Sequence, residues 1–524
     1  MSALWLVPIL IWPSRSKLIS GAIGLILWAG SMVGLGYWLI YGQDFSQSVL
    51  FIMFESNPAE SSEFISSYFR WWHPIVFGVY SIIPILIWQK IHPIELSKRR
   101  RHAIATIFVL LISWPLINYT LIKKLSLQTG SDHLVTRMEP ATPWNLVLGY
   151  TKYLSQLSAM QGNLEINRNA PPLEGFSEKN SQQAKTVVLV IGESTNSGKM
   201  SLYGYQRKTS PELEKLHDEL FVFKNVIAPR PYTIEALQQV LSFDDEKSMG
   251  SKGVADFFKQ TSLLNMMKQA DYEITWITNQ QTQTKRNTML TSLSQLADNQ
   301  IYLNNNRAQN SNQYDEVVLA PFAKALSSPA QKKLIVVHLL GTHRKYNYRF
   351  PDKFAKFTTK KGVHPWVTDK ALDEYNSYDN AVLYNDHVVS ELIRTLASTE
   401  NQKLLVYFSD HGEEVYDSPD NLFTGRNEGK PTPAMYTVPF VVWASPEYLA
   451  TKTTTHWRDY LERPYSTYDF IYTWADMVDI DFKRNDHSRS LVSDEFIARP
   501  RWIGDPTNPK SLRNYAEITA DSLG

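Results

Sequence analysis

The 524-residue sequence is 43% hydrophobic and 20% charged, which is enough apolar material for more than one domain and excludes disorder as the dominant state. Its 53 Lys and Arg stand against 52 Asp and Glu, and a net charge of +1 leaves no electrostatic footprint for nucleic acid; a small molecule or a lipid suits it better. The absence of cysteine excludes thiolate metal sites, thiol nucleophiles and disulfides, so any metal must be held by histidine, carboxylates and hydroxyls.

A mean hydropathy of −0.28 conceals an apolar front end. Met1–Trp12 is apolar, but about 12 residues reach only ~18 Å as a helix, short of a ~30 Å hydrocarbon core. It reads either as a short interfacial or re-entrant helix or as the remainder of a longer span. We expect the latter, with the native frame extending upstream. Leu18–Ile40 carries no charge and meets the length of a spanning helix. Two more charge-free runs follow, Trp72–Trp88 and Ile104 to about Ile122, both containing proline, which membrane helices tolerate. Lys90, Lys98, Arg99, Arg100 and Arg101 crowd the loop between these two, which the positive-inside rule places in the cytoplasm together with Arg15 and Lys17. Residues 43–70 and everything after Leu125 then lie outside, which in a bacterial chain so arranged would be the periplasm. Lys123 and Lys124 weigh slightly against this.

The expected organisation is an α-helical transmembrane domain over residues 1–125, a polar linker over 126–185 and an α/β domain over 186–524. In the last, TVVLVI (186–191), EITWIT (273–278), KLIVVHLL (333–340), KLLVYF (403–408) and VPFVVWA (438–444) read as buried strands. Helical patterns alternate with them at Pro211–Leu220, Thr233–Phe243, Ser262–Ala270, Asp315–Leu326 and Ala371–Ser398. That alternation predicts a mostly parallel sheet with helices on both faces.

In such sheets ligands collect beyond the carboxyl ends of the strands. The residues there are Gly192-Glu193-Ser194-Thr195, Gly341-Thr342-His343 and Ser409-Asp410-His411-Gly412. Glu193, Asp410 and His411 offer three ligands suited to zinc in a chain without thiols. Asp-His-Gly alone is equally an ordinary polar turn. A glutamate ending a buried strand is harder to explain structurally, because an unpaired carboxylate there is costly.

VLVIGEST, MSLYGYQRKTSPEL, RPYTIEALQQ, WITNQQT, VHLLGTH, YDNAVLYNDH and SDHGEEVYD resemble, in this order, the periplasmic phosphoethanolamine transferases of the alkaline phosphatase and sulfatase superfamily. The wording is most similar to the group that modifies heptose of the lipopolysaccharide core. The likeness runs from near Met1, through YGQDFSQSVLFIMFESNPAESSEF, to RWIGDP at Arg501–Pro506, nearly the whole chain. It implies a multi-span membrane domain and an alkaline phosphatase/sulfatase-like catalytic domain in the periplasm. It also implies a phosphatidylethanolamine donor, a lipopolysaccharide core acceptor and a phosphoethanolamine-threonine intermediate. The matching nucleophile position is Thr233, with Glu193, Thr233, Asp410 and His411 as ligands of one tightly bound Zn2+ and a second ion left open. Thr195 follows the glutamate directly and is the decoy; Thr233 opens a helix, where free N–H groups favour a phosphate, though an ordinary N-cap is the structural alternative. His343 matches a family histidine that assists the substrate phosphate or protonates the leaving group.

Lipid A-directed relatives carry a further His-Gly pair where this sequence has Thr424-Gly425, so that proton-transfer role is either absent or supplied elsewhere, with His364 and His387 as candidates. Lys285 and Arg286 suit a phosphate or a solvated face equally. In Glu55–Phe64 the resemblance implies an interfacial segment near the ethanolamine headgroup, and Asn57, Glu60 and Glu63 are chemically suited to an ammonium. The carboxylates at i and i+3 share one helical face, and a solvated face is the alternative. Tyr68, Phe69, Trp71 and Trp72 beside it fit an interface belt. Other readings of the same residues are transfer to lipid A or another periplasmic glycan, and a related phosphoglycerol transferase or phosphodiesterase.

Overall fold

The computed structural model describes residues 5–41, 69–151, 154 and 169–521, apart from 94, 125–126, 139–140, 244–260, 282–292, 305–312, 420–421, 453–455 and 506–510. It forms two compact units, Met1–Leu157 and Ser158–Gly524.

The first unit is helical: α1 (Leu6–Ile11), α2 (Ser16–Tyr41), α3 (His73–Gln89), α4 (Lys98–Ile117) and α5 (Leu127–Met138). A π-turn over Asn118–Ile122 extends α4. The spans Pro13–Ile40 and Lys98–Ile122 are long and apolar enough to cross a membrane, and α3, with 17 residues, is shorter. Leu25, Ile75, Ile82, Ile87, Leu110 and Leu111 lie exposed on these helices. Exposed apolar surface on this scale marks a membrane or partner face. Polar groups pin α2 to α3: Trp28 Nε1 donates to Ser81 Oγ at 2.9 Å and the Tyr80 hydroxyl to Ser31 Oγ at 2.8 Å. Helix α5 falls inside the segment expected to be linker; its Gly/Ser/Thr-containing sequence gave no sustained helical period.

The second unit is built on a seven-stranded sheet. Its strands are β1 (Lys185–Gly192), β2 (Leu220–Phe223), β3 (Glu273–Gln281), β4 (Asn299–Asn304), β5 (Lys332–His338), β6 (Gln402–Ser409) and β7 (Phe440–Ala444). They lie in the order β2-β7-β6-β1-β5-β3-β4. The five from β6 to β4 are parallel. Strand β7 runs antiparallel to both β6 and β2. The sheet is thus mostly parallel as expected, with VPFVVWA corrected to an antiparallel strand: its entry follows the turn at Pro433–Met435, not a crossover helix.

Alternation along β1 sends Val187, Leu189 and Ile191 into one core and Val188 and Val190 into the other. The first core is closed by α6 (Thr233–Leu241), α7 (Leu263–Gln269) and α8 (Phe470–Met477), the second by the helices Leu319–Leu326 and Asp369–Ala397. All eight residues of β1 are buried, and each Val, Leu or Ile so placed contributes roughly 1.5–3 kcal/mol. Strand β1 is therefore the rigid centre from which the site is hung.

Candidate active site

Gly192 ends β1 directly opposite Ser409, the end of β6, so Glu193 and Asp410 emerge side by side. Ser194 turns the chain sharply after the glutamate, with φ at +58°. Its backbone N–H donates to Asp410 Oδ1 at 3.1 Å and its hydroxyl to Glu193 Oε1 at 2.7 Å. Beyond β5, Gly341 has φ +54°, and a Cβ there would stand 2.7 Å from the Glu193 carbonyl oxygen and 2.8 Å from its nitrogen. Only glycine permits so close an approach of the two strand ends.

Tyr232 is the N-cap of α6 and Thr233 its first residue, so the N-cap reading of Thr233 is corrected. Its hydroxyl is free to point away from the helix, and it donates to Glu193 Oε2 at 3.0 Å while lying 3.4 Å from His411 Nε2. His411 Nε2 also lies 3.3 Å from Glu193 Oε1 and 3.3 Å from Asp410 Oδ2. The other ring nitrogen, Nδ1, sits 2.8 Å from the Gly412 carbonyl, which assigns a proton to Nδ1 and turns Nε2 inward toward the two carboxylates. Glu193, Asp410 and His411 are fully buried and Thr233 half-buried, placing the hydroxyl at the open edge.

The electrostatics are those of a cation site. Burial would raise the Glu193 carboxyl, but the hydrogen bond and charge of His411, with His343 and Arg426, hold it well below the usual carboxylate range. Burial and the charge of Glu193 push the Asp410 carboxyl up. Buried Asp410 Oδ2 accepts no hydrogen bond, an orphaned acceptor aimed at the same point as Glu193 and His411. One ligand atom from each of the three lies within 4.8 Å of the others. Two carboxylates, an imidazole and a hydroxyl are a donor set that fits a tetrahedral zinc ion.

Thr195 is buried elsewhere in the turn: its N–H donates to Ser409 Oγ at 2.8 Å, and its hydroxyl lies 3.3 Å from the Glu193 carbonyl. His343 is half-buried, with its Nδ1 buried and without a hydrogen-bond partner, and desolvation drops its imidazole to about 3. His364 stacks on Trp366 at 4.5 Å, and His387 pairs with Glu212 and Glu316. Neither is brought to the Glu193–His411 cluster. Asn57, Glu60, Glu63, Lys285 and Arg286 lie outside the described residues.

Three residues of the site escaped the sequence reading. Gln280, in the WITNQQT motif, donates from Nε2 to Glu193 Oε2 at 3.1 Å and to the Leu339 carbonyl at 2.8 Å. Glu413 and Arg426 pair at 3.2 Å, and Arg426 reaches His411. The doubled glutamate of DHGEE was the available signal for Glu413; nothing local marks Arg426.

A sheet presenting this set at the ends of its central strands defines a sulfatase-type α/β domain, and the family model described as Sulfatase matches residues 185–480. The phosphoethanolamine transferase CptA of Salmonella typhimurium is 45% identical over 532 aligned residues, covering all of this chain and 91% of the relative. The crystal structure of the C-terminal periplasmic domain of EptC from Escherichia coli, a complex with Zn, matches with TM-score 0.64 and 48% identity over 67% of this chain and 99% of that one. The integral membrane phosphoethanolamine transferase EptA of Neisseria meningitidis matches with TM-score 0.63 over 93% of this chain and 88% of that one, and at 18% identity this likeness shows the fold alone. The chain belongs to the sulfatase-family phosphoethanolamine transferases.

Proposed function

We propose that the chain transfers phosphoethanolamine from phosphatidylethanolamine to the heptose region of the lipopolysaccharide core through a covalent adduct on Thr233. The observation that carries this reading is the convergence of Glu193, Asp410, His411 and the half-buried Thr233 hydroxyl on one point. Zinc held by these four residues would supply Lewis-acid stabilisation of the hydroxyl's deprotonated form near neutral pH.

Thr233 Oγ1 gives up its proton along its hydrogen bond to Glu193 and attacks the donor phosphorus. The bond from phosphorus to the diacylglycerol oxygen breaks, and that oxygen leaves with the proton Thr233 gave up. An acceptor hydroxyl, or a protonated phosphate oxygen, then attacks the same phosphorus, the Thr233 ester bond breaks and the acceptor's proton returns to Thr233 Oγ1, so two inversions retain configuration overall. His343 is held neutral by burial and serves as a hydrogen-bonding group to the phosphoryl oxygens; the approaching negative charge would draw its pKa back up toward an acid's range. By their chemistry Asn57, Glu60 and Glu63 suit the donor ammonium, and Lys285 the phosphate. The apolar N-terminal helices are read as a multi-pass anchor in a bacterial inner membrane with the second unit periplasmic.

The test uses the detergent-solubilised chain with labelled phosphatidylethanolamine, followed by lipopolysaccharide from deleted and complemented strains split into lipid A and core. Diacylglycerol release and a phosphoethanolamine mass on the core are expected. A mass added to lipid A alone overturns the acceptor, and no diacylglycerol release overturns the donor.

A further inference from the structure

Arg426 enters the cluster from an unexpected direction. Thr424–Gly425 pairs antiparallel with Glu414–Val415, the strand that follows Asp410-His411-Gly412-Glu413. The pairing folds Arg426 back over the strand end, where its side chain is only 18% exposed. Nε is 3.2 Å from Glu413 Oε2, and Glu413 is itself fully buried and held through Oε1 by the Tyr346 hydroxyl at 2.8 Å. The root of the guanidinium is thus fixed. Its NH1 points past this anchor, 2.5 Å from His411 Nε2 and 3.7 Å from Glu193 Oε1.

NH1 uses the lone pair that the metal reading requires. An Nε2 lone pair cannot serve an arginine N–H and a cation together, so metal ligation strips NH1 of its acceptor while the Nε–Glu413 pair stays. The charges then balance in two blocks: a divalent ion against Glu193 and Asp410, and Arg426 against Glu413. A phosphodiester brings one more negative charge to the point where Thr233, half-exposed, must attack it. The released NH1 is a planar, permanently charged donor at that point, and guanidinium is the side chain best shaped for phosphoryl oxygens.

We infer that Arg426 is a phosphoryl-binding residue of this site, holding an oxygen of the transferred group beside Thr233. The inference rests on the proposed Thr233 chemistry. It places a fixed charge beside Thr424-Gly425, where lipid A-directed relatives carry a His-Gly pair, so the group it supplies binds anions but stays protonated near neutral pH and is no general acid.

The experiment uses the full-length chain in detergent, as wild type, Arg426→Gln and Arg426→Lys. Zinc affinity is read by competition with a chromophoric chelator, and affinity of the zinc-loaded protein for inorganic phosphate by calorimetry. Arg426→Gln should weaken phosphate by about tenfold or more, the loss of one charge-assisted contact. It should tighten zinc by about threefold or more, because a competing cation has gone. Arg426→Lys, which keeps the charge, should regain part of the phosphate affinity. A merely structural arginine would move zinc and phosphate in the same direction. Unchanged phosphate affinity in Arg426→Gln, with a wild type that forms the Thr233 adduct, overturns the inference alone. A zinc-loaded wild type that forms no adduct with the lipid donor overturns the proposed function and this inference with it.

Discussion

Glu193 and Asp410 set two carboxylates in a dry pocket where each raises the cost of the other, an arrangement that an apolar core does not tolerate without a cation. Thr233 is the least buried residue of the set, and its hydroxyl donates to Glu193 Oε2. Thr233→Ala is therefore expected to bind zinc through the three remaining side chains and to lose all donor turnover. Thr195→Ala removes a hydroxyl engaged with backbone and Thr342, and measurable turnover should survive. Zinc content by elemental analysis, with diacylglycerol release, checks both; a Thr233→Ala enzyme that turns over with Thr195→Ala dead would reverse the assignment. Glu193, Thr195 and Asp410 were legible because each stands in the first turn after a buried apolar run, and Thr233 because it opens a helix within the RPYTIEAL motif. Arg426 was not, because its position depends on a two-residue strand pairing that leaves no periodic trace.

Among the elements, the long helix Asp369–Ala397 buries Asp386 fully against the start of the short helix Pro211–Lys215. Its oxygens accept the backbone N–H groups of Leu213 and Glu212, both at 2.9 Å. Burial, with Glu212 and Glu214 adding to it, nevertheless pushes this carboxyl up to about 7. The folded protein therefore holds a proton that the unfolded chain has released by about pH 4, and the stability Asp386 contributes is full below that and falls as pH rises through 7. Asp386→Asn has no proton to lose. The stability difference between wild type and Asp386→Asn should shift against wild type by on the order of 2 kcal/mol from pH 5 to pH 8. Denaturant melts at the two pH values measure it, and a constant or opposite difference contradicts the account. At this scale the central strands were legible because both faces are buried and their sequences are continuous apolar runs. Strand β2, LFVF, was hidden behind the end of a helical pattern, and β4, NQIYLN, carries the polar residues of a sheet edge. The first is apolar but only four residues long, and the second has no continuous apolar run.

For the whole molecule, a chain without cysteine is a clean background for topology. Exposed Ser97, before the basic start of α4, and exposed Ser177, in the second unit, are expected on opposite sides of the membrane. A membrane-impermeant thiol reagent on spheroplasts should label Ser177→Cys and spare Ser97→Cys; labelling of both or of the reverse pair contradicts the positive-inside assignment. The apolar spans were legible from length and charge alone, whereas helix α5 was not, since its amphipathic pattern is interrupted by Gly130 and polar residues. The proposed reaction is covalent, with a phosphoethanolamine group resting on Thr233 between donor and acceptor. Incubating the zinc-loaded chain with phosphatidylethanolamine, without acceptor, and mapping its peptides by mass spectrometry tests this directly. One phosphoethanolamine mass is expected on the peptide bearing Thr233, absent from Thr233→Ala. An adduct on Thr195 or elsewhere, or donor consumed with no adduct at all, would contradict it.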